Sequence, residues 1–479
     1  MGITKIYEYD GSGNLLSITR RGSDDSDVVT ERNKFDLAGR KYQTFDGENR
    51  STTFAESFNG QGQTLKTTTI SGAGSMTEVY HQDGKLQETS GNATYARQYE
   101  YSANKVREIL VGDAGSTSEW IDTISDLAGR TAQREYPDGA VEKSFYNSLG
   151  QLKSHVDPDG VATLYSYDSE GQMAEQAVDA DGSGDISAGD RRMLVMRDVI
   201  AGPLLRTTTQ QGTDAGYTTI LEVDQSPNGR YRREVRYGLE TTSLAAYSGP
   251  GSFTRTTTHP DASTTVEVYS QNLLQSSIHS LSGGGNMESD SYQYDGHGRL
   301  WKSTDGRTST VTELGYNQAD QVTSLNIGGN ITRYSPNALG QVLTETLPGS
   351  NRTITRTYRP TGELLTESGS ATYPISFARD PQGRMTSMTT ASGNTTRAYH
   401  RQRGWLSTKT DANNETVTYT HTHAGRLATR TWARGIVSNY GYDGAGDLTS
   451  ISYSNGTPST SMVRDSRGQP TSSLSELKI

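Results

Sequence analysis

Between Tyr292 and Gln469, apolar and polar residues alternate in short runs that are broken by turn residues and then begin again. The pattern opens as YQYDGHGRL from Tyr292. It returns as GYNQADQV from Gly315, YSPNALGQVL from Tyr334, YRPTGELL from Tyr358 and FARDPQGRM from Phe377. YHRQRGWL from Tyr399, YTHTHAGRL from Tyr419, YGYDGAGDL from Tyr440 and VRDSRGQP from Val463 complete the series. Turn glycines recur at Gly298, Gly340, Gly362, Gly383, Gly404, Gly425, Gly446 and Gly468, and Asp320 takes the remaining place. Each step is about 21 residues, and a fixed period of that size marks a repeat architecture.

Within one copy, Tyr292 and Tyr294 are two apart and so share a face of an extended strand. DGHG supplies a tight turn, with Gly298 free to take positive φ. Leu300 opens a second stretch rich in Thr, Val and Tyr, which is strand chemistry rather than helix chemistry. One copy therefore reads as strand, turn, strand, turn. The fold class predicted is all-β, a long antiparallel meander of hairpins in which consecutive strands pair.

The first half carries the same pattern less regularly, in YEYDGSGNLL from Tyr7, FDLAGRKYQT from Phe35, FNGQGQTL from Phe58 and YHQDGKL from Tyr80. The copy at Tyr99 lacks its glycine, and SDLAGRTAQ, YNSLGQL and YSYDSEGQM restore it from Ser125, Tyr146 and Tyr165. The chain is expected to be one repeat segment over 1–479. It has irregular repeats over 1–200, degenerate repeats over 201–291 that continue the sheet, and regular repeats over 292–469. Asp and Arg recur at the turns, as Asp36 with Arg40, Asp295 with Arg299 and Asp380 with Arg384. They are expected to pair across adjacent hairpins and set register.

The Y-x-Y-D-x-x-G-x-L pattern at this period resembles the YD repeats of Rhs proteins, of Tc toxin BC components and of teneurins, over nearly the whole chain. The resemblance implies a sheet that coils into a hollow β-shell or spiral barrel, with Tyr and Leu lining the interior or packing along the sheet. It also implies a non-catalytic wall segment of a secreted or cell-surface bacterial protein. Such a wall encapsulates or presents a toxin or other cargo. The partners implied are that cargo or toxin domain, or the remaining shell segments of the parent protein. The opening MGITKIYEYDGSGNLL starts inside a repeat, so a longer parent protein is expected.

Composition changes the picture in one respect. Hydrophobic residues make up 31% of the 479, and the mean hydropathy is −0.72. A conventional globule carries roughly 45–50% apolar residues. The 27 tyrosines and 52 glycines at repeating places argue against disorder. A sheet with a wet face needs fewer apolar residues per strand. The net charge of −10 without a basic stripe argues against a nucleic-acid partner. The absence of cysteine removes disulfide and thiolate chemistry. No apolar run reaches the roughly 18 residues of a membrane span.

One stretch has metal-ligand spacing: VDADGSGDISAGD, from Val178 to Asp190. With Asp179 at position 1, Asp181 falls at 3, Ser183 at 5, Gly184 at 6, Asp185 at 7, Ser187 at 9 and Asp190 at 12. These are the oxygen positions of a twelve-residue Ca2+ loop, with the glycine that its sharp turn requires. Asp185 is expected to give its backbone carbonyl. The loop resembles EF-hand and dockerin-type calcium loops, with Asp in place of the usual EF-hand Glu at position 12. Against the repeat register, eight residues from Ser183 to Asp190 are inserted after an ordinary D-x-D-G turn. Strands rather than helices should therefore flank it, and a calcium ion there would staple a loop rather than catalyse.

Two other readings rest on surface chemistry. The Thr- and Tyr-rich face suits adhesion or carbohydrate binding, with glycans as partners. His421 and His423, read as sharing one strand face, with His400 a repeat earlier and a Tyr as proton shuttle, suit a polysaccharide lyase. No nucleophile, base and orienting group can be assembled from the sequence, so an enzyme is not expected.

Overall fold

In a computed structural model, residues 3–213, 215–465 and 467–475 are described. They form 42 strands, and each of the described pairings joins strands consecutive in sequence, all antiparallel. Among the described residues the single helical element is a three-residue 3-10 turn at Asp113–Gly115. Among the described residues no helix is long and apolar enough to cross a membrane. The degenerate stretch is strand as well, in elements such as Leu204–Thr213, Gly216–Gln225 and Thr264–Ser270.

The repeat turn explains the sequence period. In the turn at Asp295, the Gly298 amide donates to Asp295 O at 2.9 Å and the Asp295 amide donates to Arg299 O at 2.8 Å. Gly298 has φ +77°, and the register shifts between Gln293 and Tyr294. This is a type I turn closed by a bulge whose glycine sits in the left-handed region. Asp320 takes that conformation in place of glycine, with φ +62°.

The aspartate that opens the turn is held by its own loop. Asp295 Oδ1 accepts the His297 and Arg299 amides, and Asp295 Oδ2 accepts Arg299 Nε at 2.7 Å. The same set recurs at Asp36 with Arg40, Asp126 with Arg130 and Asp380 with Arg384. Each Asp–Arg pair therefore closes one turn rather than bridging two hairpins as the sequence suggested, although Arg299 also reaches the next turn, at Asn317 O (3.0 Å) and Asp320 (3.1 Å). The reason is geometric: the bulge brings residue i+4 directly beside residue i. Where the sequence reads N-x-x-G-Q, an amide pair does the same work, as Asn147 Nδ2 to Gln151 Oε1 and Asn337 Nδ2 to Gln341 Oε1, both 2.8 Å.

The second tyrosine of each motif ties neighbouring hairpins together. Tyr316 lies at the end of Val311–Tyr316, beside the start of Leu300–Thr304. The ladder between these strands stops at Lys302 opposite Glu313, leaving the Leu300 carbonyl beyond it. Tyr316 Oη donates to that carbonyl at 2.6 Å. Tyr146, Tyr167, Tyr294, Tyr358 and Tyr442 make the equivalent bond at 2.8–3.1 Å. A strand start that would otherwise depend on water is paired at each of these steps.

There is little core in the usual sense. The fully buried apolar side chains described are Ala73, Ile109, Ala140, Leu164, Ala177 and Ala245. Cross-strand pairs on the sheet carry much of the side-chain contact, including the hydroxyl pairs Thr357 with Thr366 and Thr420 with Thr429, at 2.6 and 2.7 Å.

The chain divides into two compact units, one of residues 1–98 and 243–392, the other of 99–242 and 393–479. Inside each, an early passage of the ladder meets a later one end to end at its turns, 256–300 residues further on. In the first unit Arg20 forms a two-pronged ion pair with Asp320, and Ser23 N donates to Gly296 O. Gly47 is required there, because a Cβ would stand 2.1 Å from Gln318 O. In the second unit Arg426 pairs with Asp157 at 2.8 Å and Asp159 at 2.6 Å, and Arg403 pairs with Asp138 at 3.1 Å. Return of the ladder upon itself is thus built from turn chemistry.

Candidate functional site

The inserted acidic loop lies between the strands Met173–Val178 and Arg191–Ile200, as its place in the repeat required. It gathers the Asp179, Asp181 and Asp190 carboxylates so that one oxygen of each lies within 4.8 Å of the others. Asp190 is 0% exposed and Asp179 8%, while Asp181 faces solvent. No ion pair with a described lysine or arginine offsets the three charges.

The loop folds around these carboxylates through its amides. Asp179 accepts from the Ser183 and Gly184 amides at 3.0 Å each. Asp190 accepts from the Ala180 amide at 3.0 Å and the Ser187 amide at 2.8 Å. Asp181 accepts from Ser187 Oγ at 2.6 Å and the Ser183 amide at 2.9 Å, and these donors hold its carboxyl down to about 2. Ser183 Oγ donates to the Asp185 carbonyl, so that carbonyl lies beside the group while the Asp185 side chain is exposed. Gly182 and Gly184 both take positive φ, at +71° and +78°. All six predicted ligand positions are therefore in one short loop, with Asp179, Asp181 and Asp190 drawn together. The donors are hard oxygens, which suit calcium or magnesium and not a soft transition metal.

Residues 146–183 match the family described as RHS Repeat. The match covers 38 of the 479 residues. Its solved structural neighbours include TcdB2-TccC3, at 12% identity with a TM-score of 0.56 over 100% of this chain and 32% of that one. TcdB2-TccC3 without its hypervariable C-terminal region gives 13% identity and a TM-score of 0.53 over 99% of this chain and 30% of that one. The chain thus spans about a third of the length of these neighbours. No curated protein matches it by sequence.

His400, His421 and His423 line one pocket with Trp405, Tyr419 and Asp138, but the shared strand face read from the sequence is not formed. His421 ends the strand Thr416–His421, whereas His423 sits in the following turn, so they do not share a strand face. His421 packs on Trp405 at 5.3 Å between ring centroids, with His400 on the same indole at 6.4 Å. Burial, and then the charge of His400, pushes the His421 pKa below its ordinary value. His423 is mostly exposed and reaches Asp138 at 3.9 Å. His400 and His421 are thus ring partners of Trp405.

Proposed function

We propose that this chain is a non-catalytic wall segment of a secreted or cell-surface protein, enclosing or presenting a toxin or other cargo domain of its parent. The observation that carries this reading is the turn-on-turn meeting of early and late ladder passages within each unit, through Arg20–Asp320 and Arg426–Asp157–Asp159. A sheet fastened in that way serves as wall rather than as a surface for chemistry. The RHS repeats and the fold shared with TcdB2-TccC3 support it. Cargo and the remaining wall segments are the partners on this reading.

The acidic loop is assigned a supporting part: Asp179, Asp181, Ser183, Asp185, Ser187 and Asp190 hold a calcium ion that stiffens the insertion. The loop lies against the later passage of its own unit, where a Cβ on Gly444 would meet Ala180 O at 3.1 Å and Arg191 pairs with Asp447. A cation there braces a junction between passages. Limited proteolysis of the complete parent polypeptide tests the wall reading. Segments outside the repeats should be cut much more slowly in the intact protein than when expressed alone. Equal rates would refute enclosure.

A further inference from the structure

A second concave site lies away from the acidic loop, on one face of three consecutive strands. Lys409 stands opposite Val417, and Tyr419 opposite Arg430. Val417 and Tyr419 are two apart on one strand, so with Lys409 and Arg430 opposite them they share a face, and Trp432 stands just beyond the end of the Leu427–Thr431 strand. They line a cavity of about 430 Å³, with Asp411, Glu415 and Arg434 at its rim. That volume is within the range of small-ligand sites. Trp432 occupies the turn position that Asp holds elsewhere, and its Nε1 donates to the buried Ser438 Oγ at 3.1 Å, which fixes the indole edge.

The unusual member is Arg430. Its guanidinium lies on the Trp432 ring, 3.5 Å from the centroid, with the Tyr419 ring at 6.0 Å. Its Nε is buried without an acceptor. Arg20, Arg191, Arg192 and Arg379 also bury an unpaired Nε. Each of those, however, commits its terminal nitrogens elsewhere, to Asp320, Asp447, Tyr217 and the Gly383 carbonyl respectively. Arg430 has no described carboxylate or carbonyl as partner. Stacking satisfies the face of the guanidinium but leaves its in-plane N–H donors unused. A planar fork of donors matches a carboxylate.

We propose that this cavity binds an oligosaccharide containing hexuronic acid. Arg430 takes the sugar carboxylate through its in-plane N–H groups. Trp432 and Tyr419 offer apolar ring surface to the C–H face of the pyranose. Asp411 and Glu415 accept hydrogen bonds from sugar hydroxyls, while exposed Lys409 and Arg434 meet the carboxylate of the next unit. The rim acids choose between ligand classes. They repel the successive carboxylates of an acidic peptide, but a ligand with one anion and several hydroxyls per unit uses acids and bases alike. The assignment is independent of the wall reading, since a wall can carry such a site on either face.

Calorimetric titration of the whole chain with galacturonate hexamers, and with a neutral glucose hexamer, tests it. Saturable binding of the acidic hexamer alone is expected. Arg430→Gln should weaken it about tenfold or more, the loss of one charge-assisted bond. His421→Ala, at the end of the strand that carries Tyr419, should leave it unchanged. If circular dichroism shows Arg430→Gln misfolded, the double change Lys409→Gln with Arg434→Gln decides, because both side chains are exposed; a several-fold loss is expected. Equal affinity for neutral and acidic hexamers, binding of neither, or insensitivity to these substitutions would overturn the proposal.

Discussion

Replacing the second tyrosine of three motifs by phenylalanine isolates the bond that ties one hairpin to the next. In Tyr167→Phe, Tyr294→Phe and Tyr442→Phe the ring remains and only the hydroxyl is lost. The carbonyls it serves are Leu152, Leu274 and Leu427, at 2.9, 2.9 and 2.8 Å. Each bond is neutral to neutral, and the strand starts it reaches are half-buried, so water can replace part of it. The cost is then about 1 kcal/mol per site. The three sites share no partner, so their effects should add to about 3 kcal/mol. The matched control changes the first tyrosine of two of these motifs, Tyr165 and Tyr440, whose hydroxyls reach no described carbonyl; Tyr292 is kept, because its hydroxyl bonds the Asp290 carboxylate. In a ladder where stability is a sum of neighbour terms, global melting dilutes such effects. Amide hydrogen exchange read strand by strand is the suitable assay. Exchange around Leu152–Val156, Leu273–Ser280 and Leu427–Thr431 should quicken about fivefold per site, with no change in the control. Equal loss per site in both sets would show that ring packing, and not the hydroxyl, joins the hairpins.

Three further outcomes follow from the geometry. Calcium at a hundred times its dissociation constant should stabilise the acidic loop by about 2.7 kcal/mol; Asp179→Ala with Asp181→Ala should abolish the rise in melting temperature, and a parent protein indifferent to calcium refutes the site. Asp122 is 1% exposed and held by Arg107 and Lys105, whose hydrogen bonds keep its pKa below 3.8. Its contribution is therefore present above pH 3.8 and lost as pH falls through the lower folded value, so Asp122→Asn should remove that acid-sensitive component. Because Arg107 and Lys105 are themselves 29% and 36% exposed, the loss near neutrality should be about 1–2 kcal/mol, below that of a deeply buried pair. Finally, Asp126→Asn or Arg130→Gln alone should speed exchange of the Ala128 and Arg130 amides. The two together should restore protection by recreating the Asn147–Gln151 arrangement; a double variant no better than the singles refutes that equivalence.

How far the sequence could be read depended on how local each interaction is. Asp295 and Gly298 act within a few residues of each other and Tyr294 reaches one hairpin back, so hairpin, turn and bulge all leave a periodic mark. The acidic loop was visible because it interrupts that period. The Asp–Arg partnership was misassigned because i+4 within a bulged turn and a neighbouring hairpin are both plausible from spacing alone; only the backbone path separates them. Arg20–Asp320 and Arg426–Asp157 left no signal, since partners about 300 and 270 residues apart share no pattern. The Trp432–Arg430 site was also missed, although Trp in the TWARG turn, where Asp is usual, was the available clue.

A hairpin's own bonds do not record how many hairpins precede it. Its turn closes on itself and its tyrosine reaches one strand back. Losing one whole copy would leave every surviving neighbour satisfied. The long-distance fastenings do depend on that number. Remove one copy between Asp159 and Thr422, and Arg426 arrives one turn out of step with the two aspartates that now receive it. Such chains are therefore free to vary in the wording of each copy, but changes in copy number must respect where the next passage comes to rest.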